Sequence, residues 1–539
     1  MQISKKYEVI VIACLYLIAL YLWTLPINDM PFGDVDSSVH FTSGDYMVQK
    51  DKSLSRLPSY LEFAIGGGTK GRFAYPPQFN VNLGIAEIIG GARIISPYLF
   101  IAILCSLGVI GIYLLVRNLY GVLAGLSAGF LMIFSRRDIM YYLFGLWPQT
   151  LAFTFVPVVI YSYYKFIISE SENKQRIYLI ITGLLIGFQY TFHPQAFFFS
   201  IAFIIIYSGI ILLIKKKLPF KIRDIMALGF LVIILIVILA PFQLGFLIRN
   251  IGPSKESAQA GGEFGFKPEN IGRLFHWFKV DEKYFSGLPP NYFSYKYIYG
   301  GERRGYIGYW TLSLLILGAI FIFIRRKEQD ILVIAWEITL YLFLHMEIIG
   351  GNRNFRFLQL EAQLFSLLTV VGLLGIASFF KFSNEKKTYL KYSFVVAFLI
   401  VVIISNAKPI YNELSNSYKG IGRITPPEYK ATEWVMTNTD ENANFLLIGT
   451  VAYNKKKWLQ GLSFRRFDYD NNLITQKFEG IVNPDYVFVD YSDLFAIGRA
   501  DIIQQLQGWE KAKLENATLV YNQDNIRVYK IGNQKWEWN

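Results

Sequence analysis

Apolar residues dominate eleven stretches of the chain, each close to the ~20 residues a helix needs to cross a bilayer core. They fall at 8–25, 96–116, 120–134, 146–168, 177–192, 195–214, 224–248, 305–324, 331–348, 357–380 and 391–406. The pattern predicts a polytopic α-helical membrane protein with about eleven transmembrane helices. Lys5 and Lys6 precede the first stretch, but no small-residue cleavage site follows it. It reads as a retained helix and not as a signal peptide.

Between the stretches, three polar intervals are long: 26–95, 249–304 and 407–539. The predicted division is a transmembrane domain over 1–406 and a separate domain over 407–539. Within the second, "PPEYKATEWVMTNT" (426–439) has proline at a helix start and apolar residues on one helical face. "NFLLIGT" (444–450) and "DYVFVDY" (485–491) read as buried strands, and "ADIIQQLQGWEKAK" (500–513) as a helix. "ATLVYNQDNIRVYKI" (517–531) reads as a hairpin turning at "NQDN". The tail is therefore expected to be a small α/β domain.

Charge assigns sides to this pattern. "SKKYE" puts the amino terminus inside, because lysine and arginine are retained on the cytoplasmic side. If spans alternate, Arg117, "KFIISESENKQR" (165–176), "KKKLPFKIR" (215–223), "RRKEQ" (325–329) and "KFSNEKKTYLK" (381–391) all fall inside. The carboxyl-terminal domain is then extracytoplasmic. "SRRD" (135–138) is the exception, placing two arginines outside.

Composition agrees: 53% of the 539 residues are hydrophobic and 17% charged. The formal net charge of +13 sits at span ends and suits membrane lipid headgroups, not nucleic acid. Cys14 and Cys105 lie in apolar spans and read as small core residues. Four histidines make a histidine-rich metal centre improbable. The chain contains no GxxxxGK[ST], HExxH or CxxC.

Candidate chemistry begins where the first span ends, in "PFGDVDSSVHF" (31–41). Asp34 and Asp36 could hold a divalent cation, Mg or Mn, through oxygen ligands. Alternatively, one could serve as general base on a hydroxyl. In a helix, Asp36 and His40 would share a face. A solvated surface loop explains the same residues, since DxD alone is weak. Asp45, Tyr75, His193 and Glu347 are further candidates for substrate contact. "QFNVNLGIAEIIGGARII" (78–95), which Pro76 and Pro77 would start, reads as an interfacial helix. Arg136, Arg137, Arg303, Arg304, Arg353 and Arg356 all map to the outer side, with Glu361 and Gln363 inside the following span. Guanidinium forks suit phosphate oxygens, although anchoring to headgroups or pairing with local acids is the ordinary role.

Taken together, "GDVDSSVHFTSGDYM" (33–47), "YPPQFNVNLGIAEIIG", "LFGLWPQTLAFTFVPVVI" (143–160), "FHPQAFFFSIAFII" (192–205) and the tail's "TPPEYKATEWVMTNTDENANFLL" resemble the GT-C superfamily of integral membrane glycosyltransferases. Within it, the chain looks most like prokaryotic membrane proteins labelled 6-pyruvoyl-tetrahydropterin synthase-related. The resemblance implies an inverting enzyme that takes a sugar from a polyprenyl-phosphate-linked donor, outside the membrane, to a glycan, lipid or protein acceptor. It implies an acid of the first outer loop, Asp36 in preference to Asp34, as base or metal ligand. It also implies Arg303, Arg304, Arg353 and Arg356 at the donor phosphate. The WWDYG motif of oligosaccharyltransferases is absent; "FDYDNN" (467–472) is a faint echo. The competing reading is a non-catalytic component of cell-envelope glycan biosynthesis, a flippase or assembly partner.

Overall fold

Wherever the eleven apolar stretches are described, a helix accounts for them. The computed structural model describes residues 4–33, 35–52, 58, 61, 78–216, 221–239, 306–345, 354–379, 384–416, 423–450, 453–469 and 484–532. Among these, six helices are long and apolar enough to cross a membrane: 5–24, 95–120, 147–168, 194–215, 358–376 and 389–415. The chain divides into two compact units. One comprises 1–23, 102–141 and 147–413; the other comprises 24–101, 142–146 and 414–539. The expected boundary at 406/407 lies inside one continuous helix, Asn384–Ser415.

In the membrane unit, the stretch 146–168 is two helices, Trp147–Thr154 and Val156–Ile168. Pro157 has no N–H to donate to the carbonyl of Phe153, and Gln363 Nε2 donates to that oxygen instead, at 3.0 Å. Gln189 Nε2 likewise reaches Ala152 O at 3.3 Å. Backbone groups freed in a membrane helix must find such partners, which explains two glutamines at membrane depth. Elsewhere, helices Tyr306–Arg325 and Leu358–Phe379 cross at glycines: a Cβ on Gly318 would lie 1.9 Å from Leu368 O. Close backbone approach through small residues is a recurrent way to pack membrane helices.

Several helix termini beside basic loops are joined within this unit. Arg117 and Tyr113 bond Glu8, Tyr120 donates to Asp330 at 3.0 Å, and Lys215 pairs with Glu328 at 2.6 Å. "SRRD" behaves differently, because Arg137 is fully buried and bonds Glu361. It is a core ion pair, so it escapes the side preference of loop charges. Arg136's side chain lies outside the described residues.

The second unit holds a five-stranded sheet in the order β2-β1-β3-β5-β4. Its strands are β1 Asn444–Ile448, β2 Arg466–Tyr469, β3 Tyr486–Asp490, β4 Thr518–Gln523 and β5 Ile526–Lys530. β1 is parallel to β2 and β3, and β5 is antiparallel to β3 and β4. Leu446, Ile448, Val487 and Val489 pack on Leu494, Ile503, Leu506 and Leu514. The helices Pro426–Asn438 and Ala500–Lys513 and the β4–β5 hairpin match the sequence reading. Helix Tyr453–Ser463 and strand β2 were not foreseen.

Candidate active site

Helix Val35–Gln49 begins directly after a tight turn at Gly33, whose φ of +110° favours glycine. A Cβ there would stand 1.9 Å from Ser37 Oγ. Asp36 lies half-buried in the first turn, where the helix dipole favours a carboxylate. Asp34 lies outside the described residues. His40, one turn on, is buried, and its Nδ1–H donates to Asn80 Oδ1 at 3.0 Å. That bond ties His40 to helix Gln78–Gly90 and leaves Nε2 as the ring's acceptor.

The two helices meet at glycines, with Gly84's Cβ position 3.0 Å from Gly44 O. Phe79, Asn80, Leu83 and Glu87 turn inward, while Ile85, Ile88 and Ile89 are exposed. The helix thus keeps the apolar outward face expected of an interfacial element, although it ends at Gly90 and not at 95.

Asp45 is 1% exposed, and both its oxygens are on Arg93: Nε–Oδ1 2.9 Å and Nη2–Oδ2 2.8 Å. Arg93 Nη2 also donates to Leu462 O at 3.0 Å. Burial works against Arg93's charge, but Asp45 outweighs it and holds the guanidinium protonated. Asp45 therefore serves as a clamp between segments, with no oxygen left over from the pair. Sequence reasoning missed Arg93; its only signal is a lone cation three residues beyond the helix Gln78–Gly90. Burial, reinforced by nearby Asp45, pushes Glu87 up to about 7.

The tail contributes helix Tyr453–Ser463 to this unit. Trp458 Nε1 donates to Gly33 O at 3.3 Å, and Gly461 lies so close to Thr42 that a Cβ would stand 2.1 Å from Cγ2. At the head of this helix, buried Lys455 bonds Glu428 and Asp493, each at 2.5 Å, with Asp490 at 3.4 Å. Burial opposes the ammonium and these three carboxylates hold it charged.

In the membrane unit, His193 caps helix Pro194–Lys215, its Nδ1 accepting from Gln195 N at 3.3 Å. Arg356 Nη1 stands 3.5 Å from Nε2, so the guanidinium and the imidazole form one buried pair, and the cation of that pair suits an anion's oxygens. Gln149 Nε2 fixes Arg356 by donating to its carbonyl at 2.9 Å. Arg303, Arg304, Arg353, Glu347 and Tyr75 lie outside the described residues. Among the described residues no three His, Cys, Asp or Glu side chains are grouped to hold a metal ion.

A family of unknown function, DUF6541, matches residues 9–356, more than half of the chain. This description differs from the narrower 6-pyruvoyl-tetrahydropterin synthase-related label that the motifs suggested. No curated protein matches. Solved structures do, at low identity. Apo oligosaccharyltransferase from Archaeoglobus fulgidus is 14% identical, with a TM-score of 0.53 over 86% of this chain. This chain spans 64% of its length. The archaeal oligosaccharyltransferase AglB from the same organism, in complex with an inhibitory peptide and a dolichol-phosphate, gives 14% and 0.55 over 90% of this chain and 70% of its own. ArnT from Cupriavidus metallidurans, bound to undecaprenyl phosphate, gives 11% and 0.52 over 98% of both chains. These likenesses give the chain a GT-C fold.

Proposed function

We propose, for a chain that belongs to the family of unknown function DUF6541, that it is a membrane glycosyltransferase using a polyprenyl-phosphate-linked sugar donor. The observation that carries the reading is its end-to-end likeness in fold to ArnT, which holds undecaprenyl phosphate. AglB, with dolichol-phosphate and a peptide, supports the same class of donor. The acceptor is a hydroxyl on a glycan, lipid or protein at the outer face of the membrane.

Asp36 is assigned the general base. It takes the proton from the acceptor hydroxyl as that oxygen attacks the anomeric carbon. The bond from that carbon to the lipid phosphate breaks on the opposite side, which inverts the configuration. The departing phosphate gains negative charge, and Arg356, beside His193, is assigned to offset it. Arg303, Arg304 and Arg353 are assigned to the same phosphate. Asp45 acts through Arg93 to hold the acid-bearing helix and touches no substrate.

Purified protein is incubated with radiolabelled polyprenyl-phosphate sugars and a cell-envelope extract, and labelled products are identified. Asp36→Asn is expected to lower transfer at least 100-fold, the order typical of losing a positioned base, with insertion unchanged. Full transfer by Asp36→Asn would remove the assignment of Asp36, and full transfer by Asp34→Asn as well would remove the first-loop acids altogether. Chelator added to the same assay reads out whether Mg or Mn takes part.

A further inference from the structure

The turn that delivers Asp36 is held at two successive residues by aromatic side chains. Tyr98, fully buried, accepts from Phe32 N at 3.1 Å and donates to Phe32 O at 2.9 Å, so its hydroxyl closes both backbone groups of one residue. Trp458, 1% exposed, donates its indole N–H to the next carbonyl, Gly33 O. The rings are packed as well as bonded: Phe32 lies 4.3 Å from Tyr98, and Phe41 lies 5.5 Å from Tyr98 and 6.0 Å from Trp458. Phe41 belongs to the acid-bearing helix itself, five residues beyond Asp36.

Neither bond is needed to make a helix. Beyond its first turn, helix Val35–Gln49 closes its own backbone from within, and Phe32 and Gly33 precede it. Left to themselves, a glycine at φ +110° and its neighbour would sample many conformations. The two bonds instead fix where the helix starts, and with it the place of the carboxylate in its first turn. Trp458 is itself held, because its helix is pinned at Lys455 by three carboxylates and at Leu462 by Arg93.

We propose that Tyr98 and Trp458 are positioning residues for Asp36, and that the carboxyl-terminal domain takes part in the reaction by holding the catalytic turn. The inference rests on the assignment of Asp36 as base. Misplacing a reacting group by about 1 Å can cost ~100-fold in rate, and loss of one of two bonds is expected to cost part of that.

Tyr98→Phe and Trp458→Phe each keep a ring in place and delete one polar group. Each is expected to lower kcat about ten-fold, with KM for the donor within about two-fold and thermal stability nearly unchanged. Trp458→Gln, which restores an N–H donor, is expected to recover part of the loss. Amide exchange over residues 35–38 is expected to accelerate about ten-fold in both phenylalanine variants, independently of activity. Unchanged kcat and unchanged exchange in both would overturn the proposal, as would a loss that appears only in KM or follows unfolding. Asp36→Asn in the same series separates the two ideas. If it is inactive while both phenylalanine variants are normal, only the positioning role fails; if it is active, the base assignment fails.

Discussion

At the scale of single residues, burial separates candidates that the sequence put side by side. Asp36 and Asp45 looked alike as acids of one loop, yet Asp36 is half-buried at a helix start while Asp45 is enclosed with both oxygens on Arg93. Glu87 gives a measurable consequence of the same kind. Its carboxyl is raised to about 7, so the folded state binds its proton more readily than the unfolded chain does. That contribution to stability is full below the ordinary glutamate range and is lost as pH rises through about 7. Glu87→Gln stays neutral and keeps an acceptor for Gln49, which donates to Glu87 Oε1 at 2.7 Å. Between pH 5 and pH 8 the wild-type melting temperature is expected to fall more than the variant's, by on the order of 2 °C. Parallel pH slopes would contradict this account.

Among the elements, helix existence was legible in the apolar runs and helix partnership was not. The run 146–168 announced a membrane helix, which the structure breaks just before Pro157. Which side chains would take the freed carbonyls could not be read, because Gln189 and Gln363 come from other helices. The same holds where Gly318 crosses helix Leu358–Phe379. Gly318→Leu would drive a side chain into the Leu368 carbonyl, and overpacking of this kind costs about 1–3 kcal/mol or more. A lowered melting temperature in detergent is expected, with Gly209→Leu as the control, since nothing stands within 4 Å of a Cβ at that position. Equal effects at both positions would argue against tight packing at the crossing.

For the whole molecule, the distribution of basic loops is the basis on which an orientation is proposed, with the amino terminus inside and the tail outside. Ion pairs and hydrogen bonds join Glu8 to Arg117, Tyr120 to Asp330 and Lys215 to Glu328 within the membrane unit, whichever way it faces. In a background of Cys14→Ser and Cys105→Ala, Lys511→Cys is expected to react with an impermeant maleimide on intact cells. Lys327→Cys is expected to react only after the membrane is opened; both positions are exposed. The opposite labelling pattern would reverse the orientation.

The sequence by itself determined that this is a helical membrane protein with a small α/β tail, because hydrophobic periodicity and turn residues act over neighbouring positions. It also brought forward Asp36, His193 and Arg356, since polar groups beside apolar spans stand out locally. Only the tertiary structure decided which of these are held, and by what. Arg93 meets Asp45 across 48 residues, Arg137 meets Glu361 across 224, and Trp458 meets Gly33 across 425. Such pairs depend on how separate helices dock, and no local pattern in the chain carries that information.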